Sequence, residues 1–511
     1  MALTQSCRIH SRKTPLYSLT VDILAVFLLN TSMRKILSIM LLGSMALGAF
    51  ANAGFVKVSK ENPRYFEANG KVWIPNGYNL CFPRPYYYDK SDSEAFALIE
   101  KQLKALSENG GNYIRLWVSA DFYQFETAPN TFDSKKLARL DRLMKLAEKY
   151  GIRVKLCLEH FRNVKNLVPT KSEQGLALYR YIFAKSIYAN DFSSMTEYLQ
   201  SPKGKSFYLA RAKVLADRYR DNPNVFGVEL WNEMNCVSAP LNASESWTAE
   251  MLGKIKLLFP NHLVMQSLGS FSEYVSYTHY EAFMKMKDND VAQVHRYLDL
   301  GAGMDICKAP IDIFAADSVR VLREIVKDKP VLLAETGAVK PNHSGPSELY
   351  KKDKEGSILH DVLFSAFFSG AAGSGQIWHW EVYVLDNNLF WHFGRFSKSI
   401  ENLNPIAEKF APTRADTDDL RVYVLNGRNA VAAWVRDANS DWRSELERGE
   451  KPATVRAKAL DFSNIVKKRK VAKAWTYNPW SDKSEPAEIK DGKIILPDFK
   501  KSLVVRLEFT K

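Results

Sequence analysis

Asn222-Pro223-Asn224-Val225-Phe226-Gly227-Val228-Glu229-Leu230-Trp231-Asn232-Glu233-Met234-Asn235 is the stretch around which the chain is arranged. Asn222-Pro223 disfavours helix and marks a turn. Val225 to Trp231 is then an apolar, β-rich run, as expected of a strand buried on both faces. It stops on Asn232-Glu233, an amide beside a carboxylate. Strands covered on both faces belong to parallel sheets, and in a parallel barrel the reactive side chains gather at the carboxyl ends of the strands. A second short run, Pro330 to Ala334, delivers Glu335 in the same manner about a hundred residues later.

The alternation of short apolar runs with amphipathic segments extends outward on both sides. Phe55 to Trp73 reads as a β-hairpin turning at Ala68-Asn69-Gly70-Lys71, placed to cap the closed end of a barrel. Val72 to Asn79 reads as a strand. Ser93 to Glu108 has helical spacing of Phe96, Ile99, Leu103 and Leu106, and Asn109-Gly110-Gly111 closes it. Strands follow at Tyr113 to Trp117 and at Val154 to Leu158, separated by a helix from Ser134 to Tyr150; a helix from Lys203 to Tyr219 leads into the central run. Beyond it come helix 247–259, strand 262–266, strand 291–297, helix 315–326, the Glu335 strand, helix 358–369 and strand 376–380. Eight strand-then-helix units in order predict an α/β fold, a (β/α)8 TIM barrel. After Pro412 the runs are short and turn-separated, from Leu420–Leu425 to Leu503–Phe509, which predicts a small C-terminal antiparallel β-sandwich. Packing against the barrel accounts for its Trp475 and Trp480 better than sugar binding does. The expected organisation is a leader over 1–53, a barrel over 54–410 and the sandwich over 411–511.

A chain of 511 residues with 46% hydrophobic and 25% charged residues can bury a large core. Its 12% aromatic content exceeds what a core requires. The net charge of +14 includes five Lys or Arg and one Asp in residues 1–53, which leaves +10 beyond them. That charge is dispersed, and the Lys467-Lys468-Arg469-Lys470 cluster reads as a solvated turn, so nucleic acid is not an expected partner. Met33-Arg34-Lys35, the apolar run Ile36 to Phe50 and Ala51-Asn52-Ala53 have the order of a secretory signal, with Met33 the expected start and cleavage before Gly54. No later stretch is a membrane span, so a soluble, secreted or periplasmic protein is expected. Cys81, Cys157, Cys236 and Cys307 lack metal-type spacing; one or two disulfides are possible in an exported chain, and Cys157 reads as a buried thiol.

Two strand-end acids suit the cleavage of an acetal. One carboxyl must protonate the leaving oxygen while the other attacks or activates water, so one keeps a raised pKa and its partner stays ionised. Asn232 offers an amide to a sugar 2-hydroxyl, Arg115 a cation to hold Glu335 ionised, and Tyr297 a phenol to the same carboxylate. Glu229, four residues before Glu233 and on the same side, is expected deeper in the barrel, paired with Arg115 or Arg153. His160 and His295, taken singly, fit core histidines as well. Tyr86-Tyr87-Tyr88 and Phe122, Tyr123 and Phe125 are candidates for the cleft wall or for loop packing. The chemistry calls for no metal and no organic cofactor; the expected partner is carbohydrate.

In order along the chain, Gly77-Tyr78-Asn79, Tyr113-Ile114-Arg115, His160, Trp231-Asn232-Glu233, His295-Arg296-Tyr297, Ala334-Glu335 and Trp378-His379-Trp380 resemble clan A glycoside hydrolases, close to glycoside hydrolase family 5, the cellulase and mannanase family. The resemblance runs from about residue 55 to 410. It implies a retaining β-glycosidase with Glu233 as acid/base and Glu335 as nucleophile. Arg115, His160, Asn232, His295 and Tyr297 would support them, Trp378 or Trp380 would carry the sugar, and Asn79 and Trp117 would complete the substrate-binding set. Met234 stands where the family usually has Pro, and Thr336 where an aromatic usually follows the nucleophile. A barrel that binds carbohydrate without turnover and a transglycosylase are the alternative readings.

Overall fold

Side chains of the inner strands are buried throughout, as their apolar runs require. The computed structural model describes residues 54–83, 91–160, 164, 186–466, 469–490 and 492–510. The expected leader, Tyr86–Tyr88 and Lys467–Lys468 lie outside them. The barrel strands are β1 (Gly77–Asn79), β2 (Tyr113–Trp117), β3 (Arg153–Cys157), β4 (Val225–Glu229), β5 (Leu263–Met265), β6 (Ala292–Leu298) and β7 (Val331–Ala338). β1 to β5 form one parallel ladder in chain order, and β6 pairs with β7. The ring continues from β5 to β6 through Asp290 N donating to Val264 O (2.9 Å) and Phe271 N to His295 O (2.7 Å).

Two strand expectations are corrected. Val72–Asn79 is broken at Pro75, which has no N–H for a ladder: Lys71–Trp73 belongs to the N-terminal hairpin and only Gly77–Asn79 to the barrel. The Gln376–Trp380 run is reduced to a single parallel bridge, Ile377 to Thr336, with Asn79 N donating to Ile377 O (3.1 Å) across the seam. Beyond it Trp378 and Trp380 are drawn into an aromatic cluster, and Trp380–Leu385 coils into a π-turn. The closed end is plugged as expected, with Phe66 and Trp73 of the hairpin packed on Phe226 at 5.2 Å each.

The outer helices bury the predicted stripes. Asp92–Glu108 starts on a Ser91–Glu94 capping box and buries Phe96, Ile99, Leu103 and Leu106; Ser134–Lys149 starts on Asp133 and buries Leu137, Leu140 and Leu143. Leu241–Leu258 and Ile311–Ile325 begin directly after Pro240 and Pro310, earlier than hydrophobic spacing alone indicates. Phe122, Tyr123 and Phe125 are fully packed beneath the loops, Phe122 against Phe96 and Phe125 against Phe132.

The C-terminal segment is an antiparallel six-stranded sheet in the order Ala411–Arg414, Leu420–Asn426, Ala430–Asp437, Ser502–Phe509, Val471–Asn478, Lys483–Pro486, accompanied by a three-stranded sheet. Strand alternation splits its side chains between two cores. Val422, Val424, Val431, Val435 and Val505 pack with Leu460, Phe462 and Ile494; Tyr423, Leu425, Trp434 and Val504 join the barrel's own core. Gly54–Lys511 accordingly forms one compact unit. Trp480 packs on His360 of the helix Ser357–Phe368 (4.5 Å) and donates to Ser502 Oγ (2.9 Å), a packing role. Cys81, Cys157, Cys236 and Cys307 are free thiols, so none of the disulfides considered among them forms.

Candidate active site

Parallel register brings the polar strand ends into one layer. β2 and β3 pair Arg115 with Lys155, and β6 and β7 pair Tyr297 with Gly337. A bulge between Val294 and His295 sets His295 opposite Glu335 instead of Ala334, turning both polar side chains to the pocket side.

Arg115, wholly buried, organises the floor. Its Nε and Nη2 take the two oxygens of Glu229 (3.0 and 2.6 Å), Nη1 takes Glu335 Oε2 (2.7 Å) and Nη2 also takes Asn232 Oδ1 (2.7 Å). Lys155 Nζ adds a 3.0 Å contact to Glu229, and Ser267 Oγ donates to the same carboxylate (2.5 Å). Burial alone would raise Glu229, but Arg115 and Lys155 hold it well below the carboxylate range. The expected deep position of Glu229 and its Arg115 pairing hold; Arg153 turns instead to the carbonyls of Pro223 and Gly54, because it sits at the opposite end of β3.

Glu335 receives the Tyr297 hydroxyl on Oε1 and Arg115 on Oε2. Glu233 lies across the pocket. Its backbone is left-handed (φ 53°, ψ 59°), a conformation that costs a non-glycine residue on the order of 1 kcal/mol and is kept only where neighbours enforce it. Ser267 does so, accepting Glu233 N at Oγ (3.1 Å) and Met234 N at its carbonyl (3.2 Å). His295 Nδ1 sits 3.0 Å from Glu233 Oε1 and 3.6 Å from Glu335 Oε2. One donor atom from each of Glu233, His295 and Glu335 lies within 4.8 Å of the others. That spacing would also suit chelation of an ion, but Arg115 and Tyr297 already take both oxygens of Glu335, and the guanidinium opposes a second cation.

The two acids differ in their surroundings. Burial and the Glu335 charge push the Glu233 carboxyl well up. Burial leaves Glu335 raised too, but less far, because Arg115 and Tyr297 pull it back toward the ionised form. Burial, followed by the Arg115 charge, keeps His295 neutral. The pocket therefore contains a carboxyl pushed strongly toward keeping its proton beside one raised less, because Arg115 and Tyr297 favour its ionised form, the ordering that acetal cleavage requires.

The remaining predicted residues fall into two groups. Asn232, its Oδ1 fixed by Arg115 and its N tied to Glu159 O (2.8 Å), has a buried Nδ2 with no protein acceptor. Trp378 is half-buried and edge-on to Trp380 at 5.1 Å; Trp380 itself is buried against Phe82. Trp117 stacks on His160 (4.6 Å), whose Nδ1 pairs with Ser119 Oγ (2.5 Å), and both are buried. Asn79 does something other than expected: its Nδ2 donates to the carbonyls of Ala334, Gln376 and Ile377 (3.2, 3.1 and 3.2 Å) and closes the barrel seam. Lys155 and Ser267 join the site without having been expected there. Lys155 has the strand parity of Arg115's register partner and Ser267 ends the fifth run two residues past Met265, so the strand-end argument could have found both.

A barrel with paired, electrostatically divided carboxylates at its strand ends has the layout that glycoside hydrolysis needs. A family model, cellulase (glycosyl hydrolase family 5), matches residues 68–360, and the chain belongs to that family. Among curated relatives, mannan endo-1,4-beta-mannosidase 7 of Arabidopsis thaliana is 24% identical over 404 residues, 71% of this chain and 86% of that protein. A putative mannan endo-1,4-beta-mannosidase 9 of Oryza sativa is 24% identical over 358 residues, covering 65% of this chain and 82% of the other. A solved glycoside hydrolase family 5 structure from Bacteroides vulgatus shares the fold at a TM-score of 0.54 and 16% identity, over 89% of this chain and 93% of the other.

Proposed function

We propose that the protein is a retaining β-glycosidase that cleaves β-linked hexosyl chains of the mannan or glucan type, with Glu335 as nucleophile and Glu233 as acid/base. The observation that carries this is the separation: oxygens of the two carboxylates lie within 4.8 Å. Direct attack by a carboxylate needs a carboxyl separation of about 5–5.5 Å, whereas a water seated between the acids needs about 6.5–9.5 Å. In the first step Glu335 forms a bond to the anomeric carbon as the glycosidic C–O bond breaks, and Glu233 gives its proton to the departing oxygen. In the second, Glu233 takes a proton from water, whose oxygen displaces Glu335. The free Asn232 Nδ2 suits the sugar 2-hydroxyl, a contact that strengthens in the transition state. The relatives named mannan endo-1,4-beta-mannosidase favour mannan over glucan. Export after cleavage before Gly54, and a C-terminal β-sandwich over residues 411–511 made of the two sheets around Val424 and Leu460, complete the reading.

The experiment is Glu335→Ala on an aryl β-mannoside and an aryl β-glucoside with and without azide. Turnover is lost, and azide restores it from the vacated side, giving the α-glycosyl azide. Unchanged hydrolysis, or a β-azide from this variant, removes Glu335 from the role.

A further inference from the structure

The loop after β7 has a feature that the two acids do not account for. Asn342 (φ 57°) and His343 (φ 58°) are both left-handed, the one consecutive pair of non-glycine residues so placed among the described residues. Such backbone persists where its surroundings over-determine it, and those places cluster at functional sites. Here the enforcing group is Asp299, just past β6, which accepts Gly301 N and Asn342 N on Oδ1 (2.8 and 2.9 Å) and His343 N on Oδ2 (3.0 Å). Gly301 allows the approach, since a Cβ there would stand 2.4 Å from Asn342 N.

The strained turn sets an imidazole beside the residue that holds Glu335. The His343 ring meets Tyr297 edge-on, with centroids 4.5 Å apart, and Tyr297 is the residue whose hydroxyl holds Glu335. With 44% of its side chain exposed, His343 can still touch a ligand. Its Nδ1 is 3.9 Å from Asp299 Oδ2, beyond hydrogen-bond length, so Asp299 holds the backbone and not the ring. Burial of the ring's inner part lowers its pKa despite Asp299, leaving one donor and one acceptor at neutral pH. Tyr297 and His295 are both buried, with the Tyr297 hydroxyl on Glu335 and His295 Nδ1 on Glu233, so of these three rings His343 is the exposed one.

We propose that His343 is a substrate-contacting residue that determines specificity: its imidazole hydrogen-bonds a hydroxyl of the hexosyl unit lying over the Tyr297–Glu335 pair. This rests on the glycosidase reading above. A neutral pair of this kind contributes about 0.5–1.5 kcal/mol, up to roughly tenfold in affinity for the transition state.

The test compares wild type with His343→Phe, which keeps a ring against Tyr297 and removes both nitrogens. On whichever aryl β-glycoside the wild type cleaves, kcat/KM falls about two- to tenfold, while the melting temperature and the acid limb of the pH profile stay where they are. Unchanged kcat/KM overturns the proposal. A fall accompanied by a displaced acid limb does so as well, because the ring would then act only through Tyr297 on Glu335. A wild type that cleaves only mannohexaose or cellohexaose has kcat/KM read on that chain instead; one that cleaves none of the four sinks the glycosidase reading, and the contact is then judged by calorimetric titration with mannohexaose. Weaker binding by His343→Phe supports it; equal binding, or none by the wild type, ends it.

Discussion

Tyr297 shows how much one hydroxyl sets in this pocket. It donates to Glu335 and thereby favours the carboxylate over the acid. Tyr297→Phe removes that donor, so the Glu335 pKa rises and the acid limb of kcat/KM against pH moves to higher pH. The alkaline limb, governed by Glu233, moves less. A hydrogen bond to a charged group contributes about 1.5–3 kcal/mol, so kcat/KM at its optimum falls by roughly ten- to a hundredfold. An unmoved acid limb would mean that Arg115 alone keeps Glu335 ionised. Ser267 acts by a different route, holding the left-handed Glu233 backbone while donating to Glu229. Nothing in the residue types announces that double role, which comes from the turn geometry.

At the scale of elements, the floor of the barrel is an ion network shared by three strands. Glu229 on β4 neutralises Arg115 on β2 and Lys155 on β3, all three fully buried. Glu229→Ala strands the buried Lys155 and leaves Arg115 with Glu335 as its one carboxylate among these residues, and breaking a buried pair in this way costs about 3–5 kcal/mol, read as a lowered denaturation midpoint. The pH dependence has a definite sign. The folded pKa of Glu229 lies well below its ordinary 4.5, so its contribution is complete above about 4.5 and is lost as the pH falls below it. The stability gap between wild type and Glu229→Gln therefore narrows on acidification; a gap constant from pH 7 to 3.5 would show that Glu229 is not ionised in the fold. The sequence already contains this architecture where local pattern and tertiary role agree, in the central run, the strand-end acids and the amphipathic helices. It is silent where tertiary packing overrides local pattern. Val72–Asn79 looks like one strand until Pro75 divides it between two sheets, and Gln376–Trp380 looks like a strand until two tryptophans pull it into the Phe82–Trp117 cluster. The Asn79 side chain belongs with these: its sequence position suits a ligand contact, and only the closed ring reveals three carbonyls within its reach.

For the whole molecule, the helix Ser357–Phe368 is buried along its length between barrel and C-terminal sheet. Arg436 joins the sheet to it through Asp361 (2.9 Å), and Arg421 reaches Asp312 of the neighbouring helix (2.6 Å). With Tyr423 and Trp434 in the barrel's core, neither part has a complete surface without the other. Calorimetry on the full chain therefore gives one cooperative transition, and a chain ending at Phe410 aggregates because it exposes that helix face. Two resolved transitions would mean that the sheet is an independently stable appendage.

The double-displacement reading depends on the two acids facing each other at attack distance, and the stereochemistry of the product tests it most directly. Proton NMR of wild-type cleavage of a β-linked substrate, recorded before mutarotation, should show the β-hemiacetal first. An α-hemiacetal appearing first would mean that water, not Glu335, reaches the anomeric carbon, and would contradict the account.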